Sequence, residues 1–256
     1  MLINITPINK DIAISFIQLY HYSKIMPKLT KHYLGVFKDN EIIGVITLGW
    51  GTQPKQTLHK IFYNHKEILD TKDYFEIGKM CFIPKVNNSN IGSQIMSKLI
   101  KYCKNNLSIQ FLYTLADGIM GKCGYIYQAS NFIYIGKFKT SVYLDRITGE
   151  KIHPRSAKLL LEENAKYSNK EKVFWLEHNF CEYKNIDKIN GLMFRYILPL
   201  SDKGDKILKS YNEYSNLKHP KDVDLKYERR VENGKFEEIL KPDFNMDCFN
   251  HNYQKY

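Results

Sequence analysis

"IQFLYTLADGIMGKCGYIYQASNFIYIG", residues Ile109 to Gly136, governs how the rest of the chain is read. It begins as a nearly unbroken apolar run, the composition of a central strand in a mixed sheet rather than one with a wet face. At Asp117 the character changes, and an acid, the glycines Gly118, Gly121 and Gly124, and the pair Tyr127-Gln128 precede a second aromatic run. In open α/β sheets ligands gather at the carboxyl ends of strands, and glycines there allow tight turns around whatever binds. An Asp so placed can accept a proton or hold an amino group. A plain Asp-Gly turn is the simpler reading of the same dipeptide, as aromatic packing with a surface amide is for Tyr127 and Gln128.

Upstream, "YFEIGKMCFIP" reads as a strand stopped by Pro84. The next segment, "KVNNSNIGSQIMSKLIKYCKNN", opens with cap-forming Asn and Ser residues. It then repeats apolar groups at Ile91, Ile95, Met96, Leu99, Ile100 and Cys103, which predicts an amphipathic helix of about four turns over residues 89 to 103. A helix N-terminus offers unpaired N–H groups and a partial positive charge to a phosphate. Around it, Gly92 permits close backbone approach, and Ser89 and Ser93 carry hydroxyls. The segment has neither the lysine of a P-loop nor the glycines of a dinucleotide fingerprint, and simple capping explains the same residues equally well.

Working outward, Ile3 to Ile5 is a short strand, a helix starts near Asn9, and "YLGVFKDNEIIGVITLGW" is a hairpin about a Lys-Asp-Asn-Glu turn. Beyond the opening stretch, "GYIYQASN" reads as a short helix and "FIYIGKF" with "SVYLD" as a strand pair. A helix follows from Pro154 or just after, "INGLMFRYILPL" is a strand, and "KYERRVENGKFEEIL" holds an Asn-Gly hairpin signal. The order predicts an α/β fold, a mixed twisted sheet flanked by helices, over residues 1–200, with a polar C-terminal extension at 201–256.

A length of 256 residues can bury a sizeable core, and 43% hydrophobic with 25% charged residues is ordinary for a folded chain. No window approaches a membrane span and the N-terminus has no leader pattern, so an unexported protein in the cytoplasm is expected. Five cysteines without a C-x-x-C pair argue against a disulfide framework or a cysteine zinc site. Residues 1–150 carry 18 Lys and Arg against 10 Asp and Glu, residues 151–200 carry 9 against 6, and residues 201–256 carry 11 of each. The excess behind the net +11 therefore lies outside the tail, and it points to a polyanionic partner, nucleic acid first. Solvated lysines of a Lys-rich composition are the plainer alternative. His21, in "YHYSKIMP", sits in an aromatic, cationic setting as a general base or a structural imidazole. None of the eight histidines has metal-ligand spacing.

The strand ending in a polar loop at a helix start, preceded by a hairpin and followed by a strand that splays away, resembles the Gcn5-related N-acetyltransferase (GNAT) fold. More specifically, "HYS", "EIGKMCF", "NNSNIGS", "ADGIMGKCGYIYQASNFIYIG", "HPRS" and "FRYIL" resemble the phage Mom family of DNA-modification proteins, over roughly residues 15 to 200. The resemblance implies a transferase that converts adenine in double-stranded phage DNA to an N6-carbamoylmethyl form and so protects the genome from restriction. It implies acetyl coenzyme A or another acyl donor, iron, and double-stranded DNA as partner, in the cytoplasm of a host cell. On these positions Asp117, Tyr127 and His21 are expected to be catalytic. Lys79, Met80, Cys81, Phe82, Asn87, Ser89, Asn90, Gly92 and Ser93 are expected to hold the donor. Tyr22, Ser23, Gln128, Asn131 and Arg155 are expected to meet the substrate. Two positions depart from the family pattern: Lys79 stands where Arg is usual, and Gly121-Lys122 where Gly-His is common. Two other functions share these features, an acyl-CoA-dependent N-acyltransferase acting on a small amine, peptide or aminoacyl-RNA, and a catalytically silent DNA-binding protein.

Overall fold

The computed structural model describes residues 3–86, 91–154 and 157–251. The first half of the chain runs β1 (Ile3–Pro7), α1 (Lys10–Tyr20), β2 (Leu29–Lys38), β3 (Glu41–Trp50), α2 (Pro54–Ile61), β4 (Tyr74–Phe82), α3 (Ile91–Asn106) and β5 (Phe111–Asp117). The second half runs α4 (Tyr125–Gln128), β6 (Ile133–Asp145), β7 (Lys151–Ile152), α5 (Lys158–Tyr167), α6 (His178–Tyr183) and β8 (Ile186–Pro199). It ends with α7 (Asp202–Lys209), α8 (Asn212–Ser215), β9 (Tyr227–Arg230) and β10 (Phe236–Ile239). Asn9 caps α1 by accepting from the Asp11 N–H, and the β2–β3 turn holds Asp39 and Asn40 at φ 49 and 70, the left-handed pair a two-residue hairpin requires.

Beyond the short helices α6, α7 and α8, which the sequence reading did not include, two features differ from it. The expected strand pair at 133–145 is one 13-residue strand, β6. Lys137, Phe138, Lys139 and Thr140 carry no turn chemistry and alternate in exposure, and the bend falls instead on Gly136 at φ 100. The helix α2 was not expected, because its segment is polar overall; Pro54 starts it at the position where a missing N–H does no harm.

Two compact units divide the chain. The first comprises Met1–Ala116, Gly124–Gly136 and Phe194–His219, and the second comprises Asp117–Cys123, Lys137–Met193 and Pro220–Tyr256. In the first unit the strand order is β1-β2-β3-β4-β5-β8-β6. Strands β1 to β4 are antiparallel neighbours and β4 pairs β5 in parallel, which makes the sheet mixed. In the second unit β7 pairs β6, and the hairpin β9–β10 extends from β8 through Ile189↔Arg229. Its cores gather Tyr143, Leu160, Leu176 and Phe180 in one cluster and Ile119, Val142, Ile189 and Phe244 in another.

Register within the first unit arranges one face of its sheet. Gly49, Thr47 and Val45 of β3 alternate onto a common face, and they pair with Glu76, Lys79 and Cys81 of β4. Glu76 in turn pairs with Tyr113 of β5, and Tyr74 with Phe111. Val45 and Cys81 belong to the apolar cluster under α1, while Tyr74, Phe111 and Tyr113 belong to the cluster shared with α2 and α7. Glu76 and Lys79 therefore lie between two hydrophobic clusters, on the same face.

That arrangement needs an irregularity, because residues three apart in a regular strand point to opposite faces. It comes from a bulge: Leu48 pairs with Ile77 and Thr47 with Lys79, so Gly78 is an extra residue in β4. A Cβ at Gly78 would stand 3.3 Å from Thr47 Oγ1 and 3.4 Å from Pro27 Cγ, a fit that favours glycine. The parallel ladder between β4 and β5 stops at Ile77↔Thr114, one residue before the bulge, although β4 remains paired to β3 as far as Phe82. A bulge increases local twist and bends the strand. Past Ile77, β4 leaves β5 and the sheet splits.

Candidate active site

The split carries a titratable group that the sequence reading passed over. Glu76 is partly buried beside Gly51, whose added Cβ would lie 3.0 Å from Glu76 Oε2. Burial pushes its carboxyl up to about 7, against the opposing pull of the Gly51 backbone N–H. Such a group changes protonation near neutral pH, as a general base must. Around it stand Tyr74 and Tyr113, both with phenols raised first by burial; Arg195 pulls Tyr113 the other way. Both stay protonated at neutral pH. An acid inside the apolar strand "YFEIGKMCF" was the available signal.

On the same face, the structure joins two motifs that lie far apart in the chain. The Lys79 ammonium donates to the Ser23 carbonyl at 3.0 Å and to its hydroxyl at 2.8 Å. His21 Nδ1 lies 2.9 Å from the Ser23 N–H and 3.0 Å from the Ser23 carbonyl. His21 is buried and stacks on Tyr22 with centroids 4.3 Å apart. His21, Tyr22, Ser23 and Lys79 thus form one unit that fixes the cation.

Tyr127 reaches the neighbourhood of the split from the Thr114 side, which faces away from Tyr113 in β5. It is buried against Phe132 and Tyr196, and burial raises its phenol, so it remains a proton donor at neutral pH. Gln128 donates to the Tyr196 hydroxyl at 2.9 Å, which holds α4 against β8. Gly124 begins this turn at φ 87, where a Cβ would meet Tyr196 Cε2 at 2.6 Å. The start of α3 packs on α4, with Ile126 3.2 Å from a Cβ built on Gly92.

Other expected residues have local roles. Asp117 belongs to the second unit, where it accepts from the Ile119 N–H at 3.1 Å and from Lys151 Nζ at 3.0 Å in a pair of which each side chain is about 15% exposed. Cys81 is buried under α1, and Phe82 lies against Gly44, where a Cβ would meet its ring at 2.2 Å. Met80 pairs with Ile46 and so points away from Lys79. Ser93 is exposed on the first turn of α3, and Asn131 is exposed at φ 61, the left-handed turn that asparagine tolerates. Asn87, Ser89, Asn90 and Arg155 lie outside the described residues. Among the described residues no group of three or more His, Cys, Asp or Glu is placed to hold a metal ion, and no helix is long and apolar enough to cross a membrane.

Comparison with known proteins adds a second line of findings. A family model described as the Mom protein family matches residues 2–221. Methylcarbamoylase mom of Escherichia phage Mu is 26% identical over 186 residues, 70% of this chain and 72% of that protein. Among solved structures, a GNAT family acetyltransferase from Elizabethkingia anophelis with acetyl-CoA bound aligns at TM-score 0.41 and 17% identity, over 77% of this chain and 97% of its own. A GNAT superfamily phosphinothricin acetyltransferase from Sinorhizobium meliloti in complex with AcCoA aligns at TM-score 0.42 and 12% identity, over 79% and 90%.

Proposed function

The chain belongs to the Mom protein family, and from that premise we propose that it is a DNA-modifying transferase acting on the N6 amine of adenine in duplex DNA. The Mu relative's description as a methylcarbamoylase supports transfer of a small carbonyl-bearing group, and protection of a phage genome from restriction is the purpose assigned to it in this reading. The observation that carries the chemistry is Glu76, a carboxyl raised to about 7 at the split between β4 and β5.

Adenine N6 is a poor nucleophile because its lone pair is delocalised into the ring, so attack needs positioning and removal of a proton. In this reading the base leaves the duplex, which costs a few kcal/mol, and stacks against aromatic side chains. Glu76 takes the N6 proton as N6 attacks the donor's carbonyl carbon and the C–S bond breaks; the departing thiolate takes up a proton, and the product is an N6-acyl adenine. Glu76 ranks ahead of Asp117 as acceptor because Asp117 is already engaged by Lys151, and Asp117 serves to orient that lysine. Lys79, held by Ser23 and His21, supplies a fixed positive charge.

The donor site fits an acyl thioester with an extended, amide-bearing arm. Past Ile77 the edge of β4 facing away from β3 is not engaged by β5, and a strand edge accepts such an arm by backbone hydrogen bonds. In this reading Lys79 on one face of β4 and Gly92 and Ser93 at the start of α3 are assigned to the donor, whose diphosphate would meet the helix N-terminus. The bound donor would supply the electrophilic carbon. No described residues fit iron, so no step is assigned to it.

Nucleoside mass spectrometry of DNA from cells expressing the chain tests the proposal. A modified deoxyadenosine that disappears in Glu76→Gln supports it. Unmodified DNA from cells holding soluble, folded protein overturns it.

A further inference from the structure

We propose that Phe174 and Trp175, on the loop between α5 and α6, form an aromatic wedge that stacks on the bases of duplex DNA; this rests on the reading of the chain as a DNA-modifying enzyme. Both side chains face solvent, 74% and 59% exposed. Exposed aromatics on a slack loop would mean little, but this backbone is clamped. The fully buried Asn164 donates to the Trp175 carbonyl at 3.2 Å and accepts from the Glu177 N–H at 3.3 Å. The Leu176 N–H donates to the buried Tyr143 hydroxyl at 2.9 Å, and the Leu176 side chain is fully buried. Arg230 donates to the Leu176 carbonyl at 3.4 Å, and Glu177 is held by Ser168 and Lys170.

The loop therefore presents two large rings on a fixed base, which lowers the conformational entropy lost on stacking. Its charge selects the occupant. Lys172, two residues before Phe174, and Lys166 are exposed and, among the described residues, stand in no ion pair; the exposed Glu171 offsets one of them, and residues 166–177 keep three lysines against two acids, a net positive charge for phosphates. Rings on a loop of net positive charge match a base stack with its phosphate rails, whereas an apolar protein partner would leave that charge uncompensated. An aromatic wedge between base steps also suits an enzyme that must unstack its target.

Trp175 is its own reporter, since the chain's other tryptophan, Trp50, donates its indole N–H to the Thr71 and Tyr74 carbonyls at 3.0 Å. The full chain is titrated with a fluorescein-labelled duplex, following anisotropy for binding and indole emission for stacking. Quenching that vanishes in Trp175→Phe, with affinity kept by Trp175→Phe and weakened about tenfold in the Phe174→Ala, Trp175→Ala double variant, is expected. Binding by anisotropy without quenching, and with an unchanged affinity in the double variant, overturns the wedge and leaves the DNA-modifying reading standing. Absence of any binding at low salt overturns both. Self-association of the chain that the double variant abolishes assigns the rings to a protein interface and overturns the wedge alone.

Discussion

Replacing Glu76 by Gln separates a titrating carboxyl from a merely packed one. In the unfolded chain this carboxyl has its ordinary value near 4.5, and folding raises it to about 7. A raised carboxyl favours the folded state while protonated: its contribution is complete below about pH 4.5 and is lost as pH rises through about 7. At 1.36 kcal/mol per unit, the ionised form costs about 3 kcal/mol at alkaline pH. Gln keeps the shape and an acceptor for the Gly51 N–H, but it has no charge to bury. Urea unfolding from pH 4.5 to 8.5 should therefore show wild type losing about 3 kcal/mol relative to Glu76→Gln, with the variant's Tm higher by roughly 6 °C at pH 8.5. Activity should move the other way, since a base works only when ionised: wild-type kcat/KM rises through about pH 7 and the variant falls at least about a hundredfold. Parallel stability profiles for the two proteins would refute the reasoning about burial, whatever the activities.

Lys79→Ala removes both bonds to Ser23 and should raise the donor's KM, measured by initial rates, about tenfold, while Lys79→Arg restores most of it by reaching the same oxygens. Gly124→Ala forces a side chain into φ 87 and against Tyr196, and should lower stability by about 2 kcal/mol or more in chemical denaturation. His251 donates to the fully buried Glu150 at 2.7 Å, and that bond raises its pKa above 6.5. Its stabilisation is complete below pH 6.5 and lost as pH rises through the raised value, so His251→Ala should abolish that decline in a pH series of thermal melts.

Elements with strong local signals were legible in the sequence. The apolar run at 111–117, the periodic helix α3 and the Asp39-Asn40 and Asn233-Gly234 turns announce themselves through composition, spacing and positive φ. The polar helix α2 did not, because it is recruited by its contacts with the cluster around Phe62 and Tyr74 rather than by its own pattern. The site was less legible for a sharper reason. "HYS" and Lys79 were singled out separately, but their bond is a long-range fact, 56 residues apart. Glu76 and Lys79 read as opposite-facing on plain alternation, and only pairing with β3 reveals the extra residue between them.

That extra residue makes the bulged pairing of β4 with β3 a determinant of the site's charge. Flattening the bulge with Gly78 kept as an ordinary strand residue would bring Met80 onto the side where Lys79 now stands, exchanging a cation for a thioether beside Glu76, whereas deleting Gly78 would leave Lys79 two places after Glu76 and still on its face. Here a kink in one strand, and not the identity of the residues on either side of it, keeps the acid and the cation in phase.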